Sequence, residues 1–338
     1  MKKVKKPESN SFGELLKRNK DKELPVDFCM NICRGDVGFF FGPAKVGKSI
    51  FSENFALTIA SGRSSFFGYP INLPKSKVFY ISLEEDVNVR IIRRGKKQIK
   101  AFSKKEVKNI NKNLTYSDEG FMRNISGADD WKALRRTIKQ VKPDIVILDS
   151  INRFSEDIEK RKKANLIMEK VRDIAERFNC AFILIHHTNK AYGNKEINMH
   201  TMSGSSALSR NAEFFIGINK IGKTRYVKQI VNRFSSDEGA CKSFEINEDI
   251  TIDNYKTIEE FDLIKEIDSR FNSDNKTKII NCINDNKNKN GQIKSSVLTK
   301  LLTPIENGMC KKTLFNGLRQ LEKEKELEKV KHGIYKLK

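Results

Sequence analysis

Gly42-Pro43-Ala44-Lys45-Val46-Gly47-Lys48-Ser49 decides how this chain is read. An apolar run, Val37-Gly38-Phe39-Phe40-Phe41, leads straight into it. Ile50 to Ala60 follow with apolar residues at helical spacing and few breakers. The pattern G-x-x-x-x-G-K-S therefore sits where a strand turns into a helix, the context a phosphate-binding loop requires. Its glycines let the backbone curl until successive N–H groups and the helix N-terminus point at an anion, while Lys48 reaches the outer phosphates and Ser49 is placed to ligand Mg²⁺. Gly42 to Ile50 is thus a candidate nucleotide cradle; the bland alternative is a glycine-rich turn.

Working outward, the stretch from 36 to 250 alternates short apolar runs with longer amphipathic segments, the pattern of a mostly parallel sheet flanked by helices. The spacing predicts strands at Val37 to Phe41, Val78 to Leu83, Ile145 to Leu148, Ala181 to Ile185, Phe214 to Ile218 and Tyr226 to Val231. It predicts helices at Ile50 to Ala60, Val87 to Phe102, Asp130 to Val141 and Lys160 to Phe178. No helix separates the last strands, so the sheet is expected to end in antiparallel ones.

Three constellations join the loop. Asp149 closes Asp144-Ile145-Val146-Ile147-Leu148-Asp149 and puts a carboxylate at the C-terminal end of a buried-type strand, where open parallel sheets bind ligands. In a nucleotide site such a carboxylate holds the Mg²⁺ shell; otherwise it caps the next helix. Leu83-Glu84-Glu85-Asp86 follows another strand, and Glu84 is placed to orient an attacking water, the alternative being an acidic first helical turn. Strand Ala181 to Ile185 delivers His186-His187-Thr188-Asn189. Adjacent strand residues face opposite ways, so at most one histidine can face a nucleotide, as a sensor of its terminal phosphate. Four histidines without ligand spacing argue against a metal site of their own.

The order of phosphate loop, strand-end Glu84, Asp149-ended strand, His186-His187-Thr188 and Gly204-Ser205-Ser206-Ala207-Leu208 resembles the RecA-type ATPases of the plasmid RepA hexameric helicase group, over roughly residues 24 to 235. The resemblance implies a RecA-like α/β core that binds ATP and Mg²⁺ at the interfaces of a homo-oligomeric ring around single-stranded DNA. It implies phosphate and Mg²⁺ roles for Lys48 and Ser49, water activation by Glu84, a second Mg²⁺ carboxylate in Asp149, and a coupling role for His186 or His187. The loop from Asn189 to Ser203 would face the central channel. Where relatives carry an Arg, this chain has Glu213; Arg210 and Arg233 are then the candidates to act in trans.

The flanks complete the plan. Residues 1–35 read as a polar arm or linker, 36–250 as the ATPase domain, 251–274 as a linker and 275–338 as a winged-helix-like DNA-binding domain. The outline behind the last is three short helices at Lys276 to Ile283, Ser295 to Leu302 and Lys311 to Leu321, then two strands around Gly333. Residues 276–338 hold 15 Lys and Arg against 6 Asp and Glu. Within the third helix Leu314, Phe315, Leu318 and Leu321 form an apolar face, leaving Lys311, Lys312, Asn316 and Arg319 for a duplex. A winged helix also suits a protein partner, and a charged helix face is often only solvated.

Over all 338 residues, 65 Lys and Arg against 43 Asp and Glu give a net charge of +22, more than solubility requires and in keeping with a polyanionic partner. A Lys- and Asn-rich codon usage produces the same surplus. Six scattered cysteines without C-x-x-C spacing are expected as reduced thiols. No apolar run approaches a membrane span, so a cytoplasmic protein is expected. Together these features lead to an ATP-dependent DNA motor. An ATP-switched DNA-binding initiator without unwinding and a filament-forming recombinase are the alternatives.

Overall fold

The computed structural model describes residues 10–118, 121, 125, 127–153, 161–189, 195–204, 208, 210–233, 241–303, 309 and 311–338. The chain divides into two compact units, one built mainly on residues up to 257 and the other mainly on residues from 258.

In chain order the first unit carries α1 (Phe12–Asn19), β1 (Val37–Gly42), α2 (Lys48–Ser61), the short pair β2 (Ser65–Phe66) and β3 (Tyr69–Pro70), and β4 (Val78–Ser82). Next come α3 (Val87–Arg90), a π turn (Ile91–Gly95), α4 (Lys96–Gln98), α5 (Lys104–Asn113), β5 (Leu114–Tyr116), α6 (Ala128–Val141) and β6 (Ile145–Asp149). The unit continues with α7 (Arg161–Phe178), β7 (Ala181–His187), β8 (Phe214–Ile221), β9 (Thr224–Asn232), β10 (Cys241–Ile246) and β11 (Ile252–Ile258).

Nine strands form one sheet in the order β11-β10-β9-β8-β1-β7-β6-β4-β5. From β8 to β5 neighbouring strands run parallel, and β9 and β10 pair antiparallel. This is the RecA-like P-loop core: α/β, mostly parallel, with an antiparallel end as the spacing predicts. β1, β6 and the first six residues of β7 are buried throughout, because a parallel sheet covered on both faces has no wet side and its strands read as continuous apolar runs.

Helix α2 is enclosed as well, with 12 of its 14 residues buried, including Phe51, Phe55 and Ile59. Phe40 meets Phe51 and Phe55 edge-on, and Phe66 does the same with both. Gly62 ends the helix at φ 87°, a left-handed cap that costs glycine no steric penalty. Such packing sets the loop ahead of α2 between two buried elements, β1 and α2.

Several expectations need correction. Within the expected arm, Phe28, Cys29, Met30 and Ile32 are buried in the main core, so only the chain before them is peripheral. The helix expected over Val87 to Phe102 is broken by the π turn. The expected linker 251–274 carries β11 and the first half of α8 (Glu260–Asn286), a single helix of 27 residues that also absorbs the expected helix at Lys276.

The second unit continues with β12 (Gln292–Lys294), α9 (Ser295–Leu302), α10 (Lys311–Lys323), β13 (Leu327–Lys331) and β14 (Ile334–Leu337). Its sheet has the order β12-β14-β13, and Ile279, Ile283, Leu298, Leu314, Leu318, Leu321 and Tyr335 pack its core. Gly317 lets α10 approach α8 closely: a Cβ there would come within 2.6 Å of Ile279 Cδ1. Phe315 is not part of that core, being 39% exposed.

Candidate functional site: a nucleotide pocket at the sheet edge

The register of the parallel strands assembles the pocket. β1 ends at Gly42, which lies level with His187 of β7, and Asp149 at the end of β6 lies level with Ser82 of β4. The loop after β1, the carboxylate of β6, the tail of β4 and the last residue of β7 therefore meet at the C-terminal edge of the sheet, where βαβ folds bind ligands. One cleft of about 280 Å³ is lined by Lys45, Gly47, Lys48, Ser49, Ile50, Glu84, Arg94, Asp149, Ile185 and His187.

The loop itself has the backbone of a phosphate cradle. Gly47 caps α2 at φ 105° and Lys45 adopts φ 62°, so the chain curls before the helix begins. Gly42 is required for packing: a Cβ there would lie 1.8 Å from the Ile218 carbonyl oxygen of β8. Val46 is buried in the core and holds the loop down. Lys48 Nζ donates to the carbonyls of Gly42 (3.0 Å) and Pro43 (2.7 Å), and lies 3.1 Å from His187 Nδ1. An ammonium has no lone pair, so Nδ1 is the acceptor and the ring proton sits on Nε2. Burial pushes the Lys48 ammonium down to about 8, against the pull of Asp149 and Glu84.

His187 Nε2 in turn lies 3.7 Å from Glu84 Oε1, and the hydroxyl of Ser150 donates to the same oxygen. His187 foremost, with Ser150 and Lys48, holds the Glu84 carboxyl down at about 2 in spite of burial, so it is a carboxylate at neutral pH. Its side chain is 40% exposed, open to a water or substrate. Asp149 is buried, and its Oδ2 accepts from Tyr80 (3.0 Å) and Arg90 Nη2 (2.9 Å), which fix its orientation from the protein side.

Behind Asp149 runs a buried ionic network. Arg90 Nη1 pairs with Glu53 of α2 at 2.8 Å, and Arg94 Nη2 pairs with Glu53 at 2.9 Å and with Glu85. Asp86 is the N-cap of α3, its side chain accepting from the Asn88 and Val89 amides, so the acidic residues precede the helix and none lies in its first turn. Glu53, Tyr80, Arg90, Arg94 and Ser150 were not singled out by sequence reasoning. Arg90 and Arg94 belong to one basic helical run, and spacing alone does not reveal which of its side chains turn inward.

The remaining expected residues lie elsewhere. His186 does not join the pocket: it is buried on the other face of β7, its Nε2 lies 2.8 Å from the Ser203 carbonyl, and burial pushes its imidazolium down to about 4. Arg210 and Arg233 gather at the opposite, N-terminal edge of the sheet, where Arg233 donates to the Arg210 carbonyl at 2.7 Å. Glu213 is buried there, accepting from the Val37 amide (3.0 Å) and pairing with Arg172 (2.6 Å). Residues 205–207, within the Gly204 to Leu208 element, and 190–194, within the Asn189 to Ser203 loop, lie outside the described residues. In the second unit Lys311, Asn316 and Arg319 are exposed on α10, and the side chain of Lys312 lies outside the described set.

Among the described residues no cluster of three His, Cys, Asp or Glu side chains suits a metal by itself, and no helix is long and apolar enough to cross a membrane. Mg²⁺ is bound through one or two protein oxygens together with substrate phosphates, and Ser49 and the oriented Asp149, both lining the cleft, are the residues that would hold it there.

No curated protein matches the sequence. Among solved structures, a KaiC-like protein from the hyperthermophilic archaeon Pyrococcus horikoshii OT3 superposes with a TM-score of 0.48 at 16% identity, over 68% of this chain and 97% of that one. A family model described as AAA domain (AAA_25) matches residues 22–193, which spans the phosphate loop, Glu84, Asp149 and both histidines. The chain therefore belongs to the AAA_25 family of AAA domains and is a RecA-like P-loop ATPase.

Proposed function

We propose that this chain is a DNA-dependent ATPase of the RepA-like ring-helicase type, hydrolysing ATP with Mg²⁺ at the interfaces between its own copies. The observation that carries the reading is the convergence of Lys48, Glu84, Asp149 and His187 on one cleft at the sheet edge. Each has a distinct task. Lys48 and the loop amides hold the phosphates, and Glu84, ionised and open to solvent, orients the water that attacks the terminal phosphorus. Mg²⁺ held by Ser49, Asp149 and the phosphate oxygens would neutralise charge there. His187 bridges Lys48 and Glu84, so it registers the presence of the terminal phosphate and passes it along β7 to the chain that follows.

The DNA and ring parts rest on charge and on unpartnered surface. A net charge of +22 favours a polyanion. The second unit, read as a winged helix, leaves Lys311, Asn316 and Arg319 exposed on α10. Helix α1 buries none of its residues and exposes Phe12 and Leu16, a surface suited to a second copy.

A second reading is favoured by Glu213. Where a trans-acting arginine is expected, this side chain is committed to Val37 and Arg172, which suits an ATP-switched initiator that does not unwind. Strand displacement on a forked duplex separates the two. Unwinding by the full chain that needs ATP and is lost in Glu84→Gln supports the helicase; nucleotide-dependent DNA binding without unwinding supports the switch.

A further inference from the structure

One cation in the cleft has no part in the roles above. Arg94 lines the same cavity as Lys48, Ser49 and Glu84. It lies in the π turn Ile91–Gly95, and such turns recur at functional sites because the extra residue re-aims the side chains that follow. Arg90, four residues earlier, is 3% exposed and committed to Glu53 and Asp149 in the interior. Arg94 is 19% exposed and reaches the cavity wall instead.

Its guanidinium is held but not saturated. Nη2 is shared between Glu53, which is 1% exposed, and Glu85, which is 26% exposed. The Nε–H is buried and, like that of Arg90, makes no hydrogen bond among the described residues, but only Arg94 lines the cavity. A buried donor left unpaired is costly, and a guanidinium offers five donors in a plane suited to phosphate. Glu53 anchors the group from behind, and Glu85 is the partner with which a phosphate competes. On the other side of the account, position 213 supplies a carboxylate and not an arginine.

We propose that Arg94 is an arginine supplied in cis to the terminal phosphate of a bound nucleoside triphosphate, doing within one subunit what Glu213 does not do between subunits. Glu53 and Glu85 keep it in place before nucleotide arrives, so little reorganisation is needed when charge builds on the terminal phosphate oxygens. The inference rests on the reading of the cleft as an ATPase site. It makes Arg94 selective: it contacts the group that distinguishes a triphosphate from a diphosphate, whereas Lys48 and the loop amides hold both.

Calorimetric titration of the full chain with ATPγS and with ADP, in Mg²⁺, tests this. Wild type is expected to bind both, Lys48→Ala to lose both, and Arg94→Ala to lose about tenfold or more in affinity for ATPγS while ADP affinity stays within about twofold. Arg94→Gln keeps an N–H for Glu53 without the charge. It is expected to give the same selective loss and carries the test where Arg94→Ala is poorly folded. Equal losses for both nucleotides, or no loss for either, in the Arg94 variants overturns the proposal and leaves the ATPase reading standing. Absence of nucleotide binding by wild type overturns both.

Discussion

Lys48 is asked to stay charged in a place that disfavours charge. Burial brings its ammonium down from 10.5 to about 8, and the nearby Asp149 and Glu84 only partly resist. The sign of the consequence follows from proton counting. Between about pH 8 and 10.5 the unfolded chain binds more protons at this residue than the folded one, so its contribution to stability rises with pH over that window. Phosphate binding needs the charged form and works the other way. Nucleotide affinity is expected to fall above pH 8, by up to about tenfold per pH unit, and titrations of a fluorescent ATP analogue from pH 7 to 9.5 read it directly. A flat profile in wild type would mean that Lys48 does not carry the phosphate charge. Glu84 is no source of pH dependence near neutrality, since its carboxyl is held at about 2.

At the scale of elements, the site depends on a short helix and the turn that follows it. α3 and the π turn after it supply Arg90 and Arg94, which tie β6 to α2 through Asp149 and Glu53. Replacing one partner of a buried ion pair strands the others, so Arg90→Met is expected to cost about 3–5 kcal/mol in urea unfolding. The same change on an exposed pair such as Lys132–Asp129 costs little. A loss under about 1 kcal/mol for Arg90→Met would contradict the network. This layer is also where the sequence was hardest to read. β1, β4, β6 and β7 were legible because strands buried on both faces leave unbroken apolar runs. β5, β10 and β11 are short or alternate polar residues, and α8 is crossed by the polar run Asn272-Ser273-Asp274-Asn275, which looks like a break. Helical spacing puts Phe315 on the apolar face of α10, but it is 39% exposed and the seam is filled by Leu314, Leu318 and Leu321. Of the two histidines, strand alternation lets at most one face the cleft, and it is His187 that lines it and contacts Lys48.

For the molecule as a whole, motif order carried further than any single motif. The loop, Glu84 and Asp149 are legible at strand ends, and a parallel sheet brings strand ends together whatever the loops between them do. What spacing could not supply was the cation in the cleft: Arg94 reaches it through a π turn, whereas Glu213 supports the start of β1 at the opposite edge of the sheet. Under the proposed function the phosphate-handling groups lie within one chain, and DNA and neighbouring copies would act on them from outside. Steady-state ATP hydrolysis by the full chain at low salt, with and without single-stranded DNA, tests this most directly when run beside two variants. Expected are hydrolysis that DNA accelerates, complete loss of binding and turnover in Lys48→Ala, and retained ATP binding with turnover lowered about 10²- to 10⁴-fold in Glu84→Gln. Turnover that survives unchanged in both variants, or a wild-type chain that neither binds nor hydrolyses ATP, would contradict it.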